Sequence, residues 1–426
     1  MRAGSQPQTV AMQLLPPLSR DPKVVAREKP AGAHLPYAAQ RDDHTIETRD
    51  GRLMQVIALR GMLFETADSE ELNYRKTLRD AMLQSIGSSR FALYHHIIRR
   101  KVDMGLEATF PDAFSQSLDD KWRARLGERQ LYVNELYLTL VRRPLQGGMG
   151  VADRLREWLG AADNSKAASF ASEVRQLNAA RDALMAALGN YGPRLLSAYE
   201  SANEQGGGLC SEPVEFLGAL FNGELEPMQL PFEDLGMYLP KRRISFGRNA
   251  IELSANGHME RRFCAIVSVK DYAAQTTPGM FDQLMRLPCE MTVSQSFAFV
   301  DRQAVLGRMN LALRRMRSAE DEAVSLRAEL SEAKDQVAAG RAGFGEHHMT
   351  IAVHGDSLKE LDAHVADVTT ASNGQWSLRV ARVIQIEAKL RPGGSIARGE
   401  ETCALLDLYR PEGNTCSGFI GGGGRL

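Results

Sequence analysis

Two pairs of adjacent histidines are the first residues whose type could do chemistry. His95 and His96 form one pair, and His347 and His348 form the other. Imidazole nitrogens are common metal ligands. Each pair lies in or beside a segment that predicts a β-strand, where neighbouring side chains point to opposite faces. One pair therefore cannot hold an ion by itself, so we interpret all four as ordinary sheet residues and predict no metal site.

A group of acidic residues points to carboxylate chemistry. The group consists of Glu65, Asp68, Glu70 and Glu71. Paired carboxylates act as general acids and bases. A predicted helix begins here, however, and the positive end of a helix favours acids without any catalysis. No G-x-S-x-G or G-x-G-x-x-G motif is present, and we predict no catalytic residue.

The residues of a phosphate-binding loop are missing. Such a loop reads G-x-x-x-x-G-K-[ST], with a lysine for the phosphates and a hydroxyl for Mg²⁺. No glycine in this sequence is followed by lysine. The glycine run at 421–424 is followed by Arg425 and Leu426, which supply neither group. We therefore predict no nucleotide or other cofactor site in this chain.

Two basic clusters offer contacts to phosphate groups. They are Arg99-Arg100-Lys101 and Arg314-Arg315-Met316-Arg317. Acidic residues stand near both, and the formal net charge is −1. We interpret the clusters as solvated faces with local ion pairs, and keep a nucleic-acid-binding module as an alternative function.

The composition is typical of soluble globular protein. Of the 426 residues 43% are hydrophobic and 25% charged, and the length predicts two to three domains. The five cysteines are widely spaced and include no C-x-x-C pair, which favours a reducing compartment. No run of about 18 apolar residues occurs, so we expect no membrane-spanning helix.

The pattern of elements predicts an α+β fold with two sheet-and-helix units. We expect a disordered tail at 1–35, an N-terminal α+β domain at 36–255, a ferredoxin-like domain at 256–390 and an atypical tail at 391–426. In the first domain the pattern predicts strands at 55–59, 91–98 and 131–141. It also predicts a helix from Thr66 or Asp68 to Gly87, two antiparallel helices at 151–188, a short helix at 216–221 and a hairpin arm at 244–253.

The second domain has the more regular pattern. We expect strands at 263–269, 291–300, 348–353 and 378–390, with helices at 277–287 and 357–370. The order is β-α-β, then a helical insertion, then β-α-β, which is the split βαβ arrangement. The first domain shows a looser version of this order, which favours two related units.

The helical insertion covers residues 301–339 and carries an a/d pattern over about four heptads. A straight helix of this length would reach roughly 58 Å. Alanine at many seam positions favours a helical hairpin or a partner helix. A helix lying on its own sheet is the third interpretation.

Several segments together resemble one protein family. They are 43–51 (DHTIETRDG), 64–73 (FETADSEELN), 134–139 (NELYLT), 243–248 (RISFGR), 270–272 (KDY), 278–280 (PGM), 295–300 (QSFAFV) and 342–348 (AGFGEHH). In this order they are similar to the N-terminal, non-motor region of the VirB/TrbE/CagE family of type IV secretion and conjugation ATPases. The resemblance covers about residues 36 to 385.

The resemblance implies a role at the cytoplasmic base of a bacterial cell-envelope channel. Family members use ATP and Mg²⁺ in a C-terminal RecA-like motor to drive pilus assembly and transfer of DNA or protein. Their N-terminal region contacts inner-membrane components and neighbouring subunits, commonly in hexamers. By this resemblance we expect a scaffold and docking region, peripheral at the inner membrane through its partners. A stand-alone regulatory protein that binds full-length subunits is the alternative.

The end of the sequence departs from the family. From residue 391 onward the chain has little periodicity and does not resemble family members. We hypothesise that a frameshift or early stop near residue 388 removed the motor. The downstream DNA, translated in the other two frames, tests this hypothesis through the presence of a phosphate-loop motif.

Overall fold

A continuous antiparallel β-sheet forms the centre of the described part of the chain. The computed structural model describes residues 31–421 except 62–67, 103–108, 128–129, 144–162, 202–207, 233, 248–249, 256–260, 272–278, 319–323, 373–376 and 381–415. Within these ranges thirteen strands join one sheet and two more form a separate pair.

The strands and helices are numbered in chain order. The strands are β1 (Tyr37–Gln40), β2 (Ile46–Thr48), β3 (Leu53–Leu59), β4 (Phe91–Val102), β5 (Leu131–Arg142), β6 (Pro193–Leu195), β7 (Ala198–Ser201), β8 (Gly208–Ser211), β9 (Arg242–Phe246), β10 (Ile251–Ala255), β11 (Arg261–Asp271), β12 (Met291–Phe299), β13 (Ala342–Gly355), β14 (Ser377–Val380) and β15 (Cys416–Gly421). The helices are α1 (Ser69–Ser85), α2 (Ala113–Gly127), α3 (Asp163–Ala187), α4 (Glu212–Asn222), α5 (Leu235–Tyr238), α6 (Asp282–Arg286), α7 (Arg302–Ser318), α8 (Val324–Ala338) and α9 (Leu358–Ser372).

Both halves of the sheet have the same strand order. In the first unit β3, β4, β5 and β6 lie in the order β6-β3-β5-β4. In the second unit β11, β12, β13 and β14 lie in the order β14-β11-β13-β12. Each is the fourth-first-third-second order of a split βαβ unit. The α+β prediction and the repeated order are therefore confirmed.

The two units share the sheet because their second strands pair. β4 and β12 run antiparallel, with His96 opposite Ser294 and His95 opposite Gln295. The chain from Ala31 onward forms one compact unit by its internal contacts. The division into two domains at residue 255 stays a prediction.

Helices cover the two faces of the sheet with separate apolar cores. On one face α4 contributes Val214, Phe216, Leu217 and Phe221 to a core that also holds Ile266 from the second unit. On the other face α1 and α3 pack on the first unit, and α6 and α9 on the second. Buried residues of both units thus meet under α4.

The sequence of α4 explains its position. Ser211 caps its N-terminus by accepting a 3.3 Å hydrogen bond from the Val214 amide, and Pro213 occupies the first turn, where no amide is needed. Gly223 ends the helix with a φ of 78°, a conformation that favours glycine. Nearly every residue between is buried. The helix is therefore a core element on all sides.

The helical insertion forms a hairpin. α7 and α8 pack against each other along Val305, Met309, Leu330, Ala333 and Val337. Two of the three interpretations therefore hold together, because the insertion is a hairpin and its helices also pack on β13 of their own sheet, at Ala342 and Phe344. A single 58 Å helix is excluded by the close approach of its halves. The connection at 319–323 lies outside the described residues.

Other predicted elements need correction. Residues 31–34 form a 3-10 helix and Leu35 is buried, so these residues do not belong to a disordered tail. The helix expected at 277–287 covers only α6, since a turn with Gly279 at a φ of 78° precedes it. Of the two helices expected at 151–188, α3 is one, and the other stays a prediction because residues 151–162 lie outside the described residues. Residues 1–30, 144–162 and 381–390, where other predictions fall, lie outside the described residues.

Candidate interaction surface

The four histidines lie in the sheet, and burial there favours the neutral form of His95, His96 and His347. His96 Nδ1 lies 2.9 Å from the Ser294 hydroxyl, across the junction of the two units. Burial lowers the pKa of His95 to about 4. Burial, and then the charge of His95, lower the pKa of His96 to about 3. Burial and then His348 lower the pKa of His347 to about 4. Within the described ranges no three His, Cys, Asp or Glu side chains form a metal-binding group.

One residue of the first basic cluster, Arg99, links the two units. The buried Arg99 donates a 2.7 Å hydrogen bond from Nε to the Leu287 carbonyl and a 2.9 Å bond from Nη1 to Asn134 Oδ1. Its guanidinium carbon lies 4.9 Å from the centre of the Tyr132 ring. Tyr132 Oη in turn donates a 3.0 Å bond to the Pro288 carbonyl. We call Arg99, Tyr132 and Asn134, with the backbone of 285–288, the inter-unit clasp.

The other charged candidates also have local roles. Arg100 pairs with Glu135 at 2.6 Å, and Lys101 is exposed at the end of β4. Arg314 donates a 3.3 Å bond to the Asn310 carbonyl of its own helix. Of the acidic group, Glu70 and Glu71 lie in the first turn of α1, where Glu71 pairs with Arg75. Glu65 lies outside the described residues.

A buried polar network fixes the end of α4. Arg262 donates a 2.9 Å hydrogen bond to the Gly223 carbonyl and pairs with Glu290, and Arg242 pairs with Glu224. Burial, and then these two arginines, lower the pKa of the neighbouring His354 to about 3. Glu224 also lies 3.7 Å from Arg262, so the two arginines and two carboxylates form one connected network that is suited to holding α4 on the sheet.

The strongest candidate surface is helix α2, which the sequence reasoning missed. It lies between β4 and β5 in the chain. None of its residues at 113–125, whose side chains the structure describes, is buried. Phe114, Leu118 and Trp122 recur every four residues and therefore form one stripe. Their exposed fractions are 78%, 59% and 60%. We call these three residues the apolar stripe. Their spacing in the sequence was the signal that could have revealed it.

Local interactions support α2 in place of packing. Asp112 Oδ1 caps the helix by accepting a 2.7 Å hydrogen bond from the Ser115 amide. The bonds from the Ser115 side chain and amide lower the pKa of Asp112. Asp119 pairs with Arg123 at 2.6 Å, one turn later. Helices of this length are marginal in water without tertiary contacts, so the stripe is suited to binding something outside the described chain.

Two further apolar features are exposed or open. A cavity of about 190 Å³ lies between α1 and the α7–α8 hairpin, and its lining includes Leu83, Gly87, Phe299, Val305 and Val337. Phe232, in the loop before α5, is fully exposed. A single aromatic residue at a loop tip is ordinary for protein surfaces, so it carries less weight than the stripe.

Two family models match the chain. The model for the N-terminal domain of the type IV secretion system ATPase VirB4/TrbE matches residues 44–149. The model for the CagE, TrbE, VirB family, a component of the type IV transporter system, matches residues 194–378.

This chain belongs to the CagE/TrbE/VirB family. The resemblance read from the sequence is thereby confirmed, and the two matches together reach from β2 to β14. Among the described residues of this family member, no helix combines the length and apolar composition needed to cross a membrane.

Relatives share this region and extend further. The chain is 31% identical over 343 residues to the type IV secretion system protein virB4 of Bartonella henselae, covering 80% of this chain and 43% of the relative. The virB4 protein of Bartonella quintana is 32% identical over 338 residues, with coverages of 79% and 42%. The type IV secretion system protein PtlC of Bordetella pertussis is 27% identical over 368 residues, with coverages of 86% and 44%. The family member described here thus spans less than half the length of these relatives.

Proposed function

We propose that this chain is the scaffold and docking region of a type IV secretion ATPase. In this role it attaches to inner-membrane components of the secretion channel and to neighbouring subunits, and the ATP-hydrolysing motor is a separate region. Its place is the cytoplasmic face of the inner membrane, where its partners hold it. The family match supports a place in a type IV secretion system. The apolar stripe is the main observation in favour of the docking role.

The construction of the sheet supports a scaffold. Two split βαβ units are fused through β4 and β12 and tied by the inter-unit clasp. Among the charged candidates, Arg100 and Glu71 form ion pairs, and His95 and His96 are buried in the sheet. A rigid sheet of this kind can hold its binding partners at fixed positions relative to one another. The apolar stripe on α2 supplies the surface to which a partner attaches.

Co-purification tests the docking role. The tagged chain is co-expressed with a full-length family member and, separately, with the inner-membrane components of the same secretion system. We expect it to co-purify with at least one of them after detergent extraction. Recovery of a partner-free monomer from both co-expressions would contradict the proposal.

An ATPase assay tests the prediction that the residues of this chain hold no nucleotide site. The sequence contains no Gly-Lys pair, and a phosphate loop needs one. We therefore expect no ATP hydrolysis above background by the purified chain with Mg²⁺. A turnover that follows the chain through successive purification steps would overturn this prediction. A full-length family member assayed in parallel is the positive control.

A further inference from the structure

The charges around the apolar stripe are distributed unevenly. At about 100° per residue, the stripe spans an arc of roughly 80°, with Arg125 inside the arc and Lys121 about 20° outside it. Asp119 and Asp120 lie about 100° or more from the centre of the arc. The apolar side of α2 therefore carries cations and no acids of the described helix.

The acids of α2 are also used elsewhere. Asp119 pairs with Arg123, Asp120 accepts a 3.1 Å hydrogen bond from Gln116, and Asp112 caps the helix from the preceding position. Lys121 and Arg125 are exposed and form no ion pair with any residue that the structure describes. The positive charge on the apolar side is thus available to an external anion.

This pattern fits the surface of an anionic phospholipid bilayer. An interfacial helix buries its apolar side at the boundary of headgroups and acyl chains, while its basic residues meet the phosphates. Trp favours this boundary because its ring is amphipathic, and Phe and Leu are typical of the buried side of an interfacial helix. An apolar groove on a protein could also bury the apolar stripe. To match the cations beside the stripe, however, such a groove would also need acidic residues along its rim. A lipid leaflet supplies both features over its whole area.

We propose that α2 lies on an anionic phospholipid membrane through Phe114, Leu118 and Trp122, with Lys121 and Arg125 at the lipid phosphates. This inference adds a lipid contact to the docking role proposed above. It rests on that proposal because both take α2 as the element that attaches the chain. The contact is peripheral and direct, in addition to any contact through protein partners.

The fold gives this contact a direction. α2 connects β4 to β5, and the α7–α8 hairpin connects β12 to β13. Because β4 and β12 are antiparallel neighbours, the two helical insertions leave the sheet at opposite ends. β4 alone spans about 40 Å over its twelve residues. A membrane bound at α2 therefore leaves the hairpin and its adjacent cavity facing away from the lipid.

Vesicle binding tests the inference. The purified chain is sedimented with vesicles of phosphatidylcholine alone and with vesicles that also contain phosphatidylglycerol. We expect the anionic vesicles to bind on the order of tenfold more tightly, and added salt to reduce the difference. In a Trp158→Phe/Trp376→Phe background, the emission of Trp122 should shift to shorter wavelength on binding.

Paired variants assign the contact. Leu118→Ala/Trp122→Ala should weaken vesicle binding on the order of tenfold or more, and Lys121→Gln/Arg125→Gln should remove the preference for anionic lipid. Phe232→Ala and Lys359→Gln remove an exposed aromatic and an exposed cation elsewhere, and should change neither. Unaltered circular dichroism shows that each variant is folded.

Several outcomes would overturn the inference. Equal binding to both vesicle types would do so, as would stripe variants that bind like the parent. Loss of self-association or of co-purification in the stripe variants, without any vesicle binding, would assign the stripe to a second copy or to a protein partner. If vesicle binding fails while co-purification persists, only the lipid contact is wrong. If co-purification fails while vesicles bind, only the docking role is wrong.

Discussion

Arg99 illustrates at the residue scale how a basic cluster can be structural. Its guanidinium is buried, which lowers its pKa, and its donors meet a carbonyl and an amide oxygen in the inter-unit clasp. The neighbouring Arg100 pairs with Glu135 nearer the solvent. Two adjacent arginines therefore have different roles, which their positions in the sequence do not distinguish.

Truncation of Arg99 should destabilise the protein far more than truncation of Arg100. Arg99→Ala leaves the Leu287 carbonyl and Asn134 without their donor, so we expect a loss of about 2–3 kcal/mol in the free energy of unfolding. Arg100→Ala is the matched control and should cost about 0–1 kcal/mol, as exposed ion pairs do. Urea denaturation measures both losses. Equal losses would show that the inter-unit clasp stabilises the protein no more than an exposed ion pair does.

His96 should make stability depend on pH. Its folded pKa of about 3 lies below that of an unfolded histidine, about 6.5. The unfolded chain therefore binds the proton more readily, so this stability is complete above pH 6.5 and is lost as the pH falls towards 3.

Replacing His96 should remove its share of that dependence. Between pH 7 and pH 5 the parent should lose about 2 kcal/mol through this residue, and His96→Gln should lose correspondingly less. Ser294→Ala removes the hydroxyl beside His96 but no titrating group, so it should lower stability equally at both pH values. The urea midpoints of the parent and both variants, measured at pH 7 and pH 5, test this prediction. A His96→Gln variant with the parent's full pH dependence would contradict the assignment.

At the scale of elements, Gly345 lets β13 pack beside an aromatic residue of β12. A Cβ built at Gly345 would collide with the ring of Phe297 and lie 2.9 Å from the Ala298 carbonyl oxygen. Phe297 itself packs edge-on against Phe299, with ring centres 5.1 Å apart. The glycine is therefore required by a close approach between strands and not by its backbone angles.

Gly345→Ala should destabilise the protein by about 1–3 kcal/mol, the usual range for overpacking. Phe297→Ala opens the space, so the double variant should be more stable than the sum of the single losses predicts. A double-mutant cycle measures this coupling. Strict additivity would show that the ring is not the obstacle.

The whole molecule should unfold as one cooperative unit. The core under α4 contains Val56 of the first unit and Ile266 of the second, and the β4–β12 pairing continues the sheet between them. A fragment ending at residue 255 would expose both the edge of β4 and part of this core, which favours aggregation over independent folding.

Calorimetry and circular dichroism together test this expectation. We expect one thermal transition that both methods report at the same temperature. Two separated transitions, or a fragment 36–255 that is monomeric and folded, would instead support two independent domains as first predicted from the sequence.

The sequence by itself determined the longer strands and most of the longer helices, the split βαβ order of the second unit and the family. These follow from local periodicity, breakers and short segments such as 342–348, which are legible without knowledge of distant contacts. The tertiary structure decided the pairing of β4 with β12, the folding of 301–339 into a hairpin and the burial of Arg99. It also decided that the stripe of α2 remains uncovered. Each of these features depends on whether residues far apart in the chain come into contact. Local sequence patterns do not specify which surfaces pack against each other.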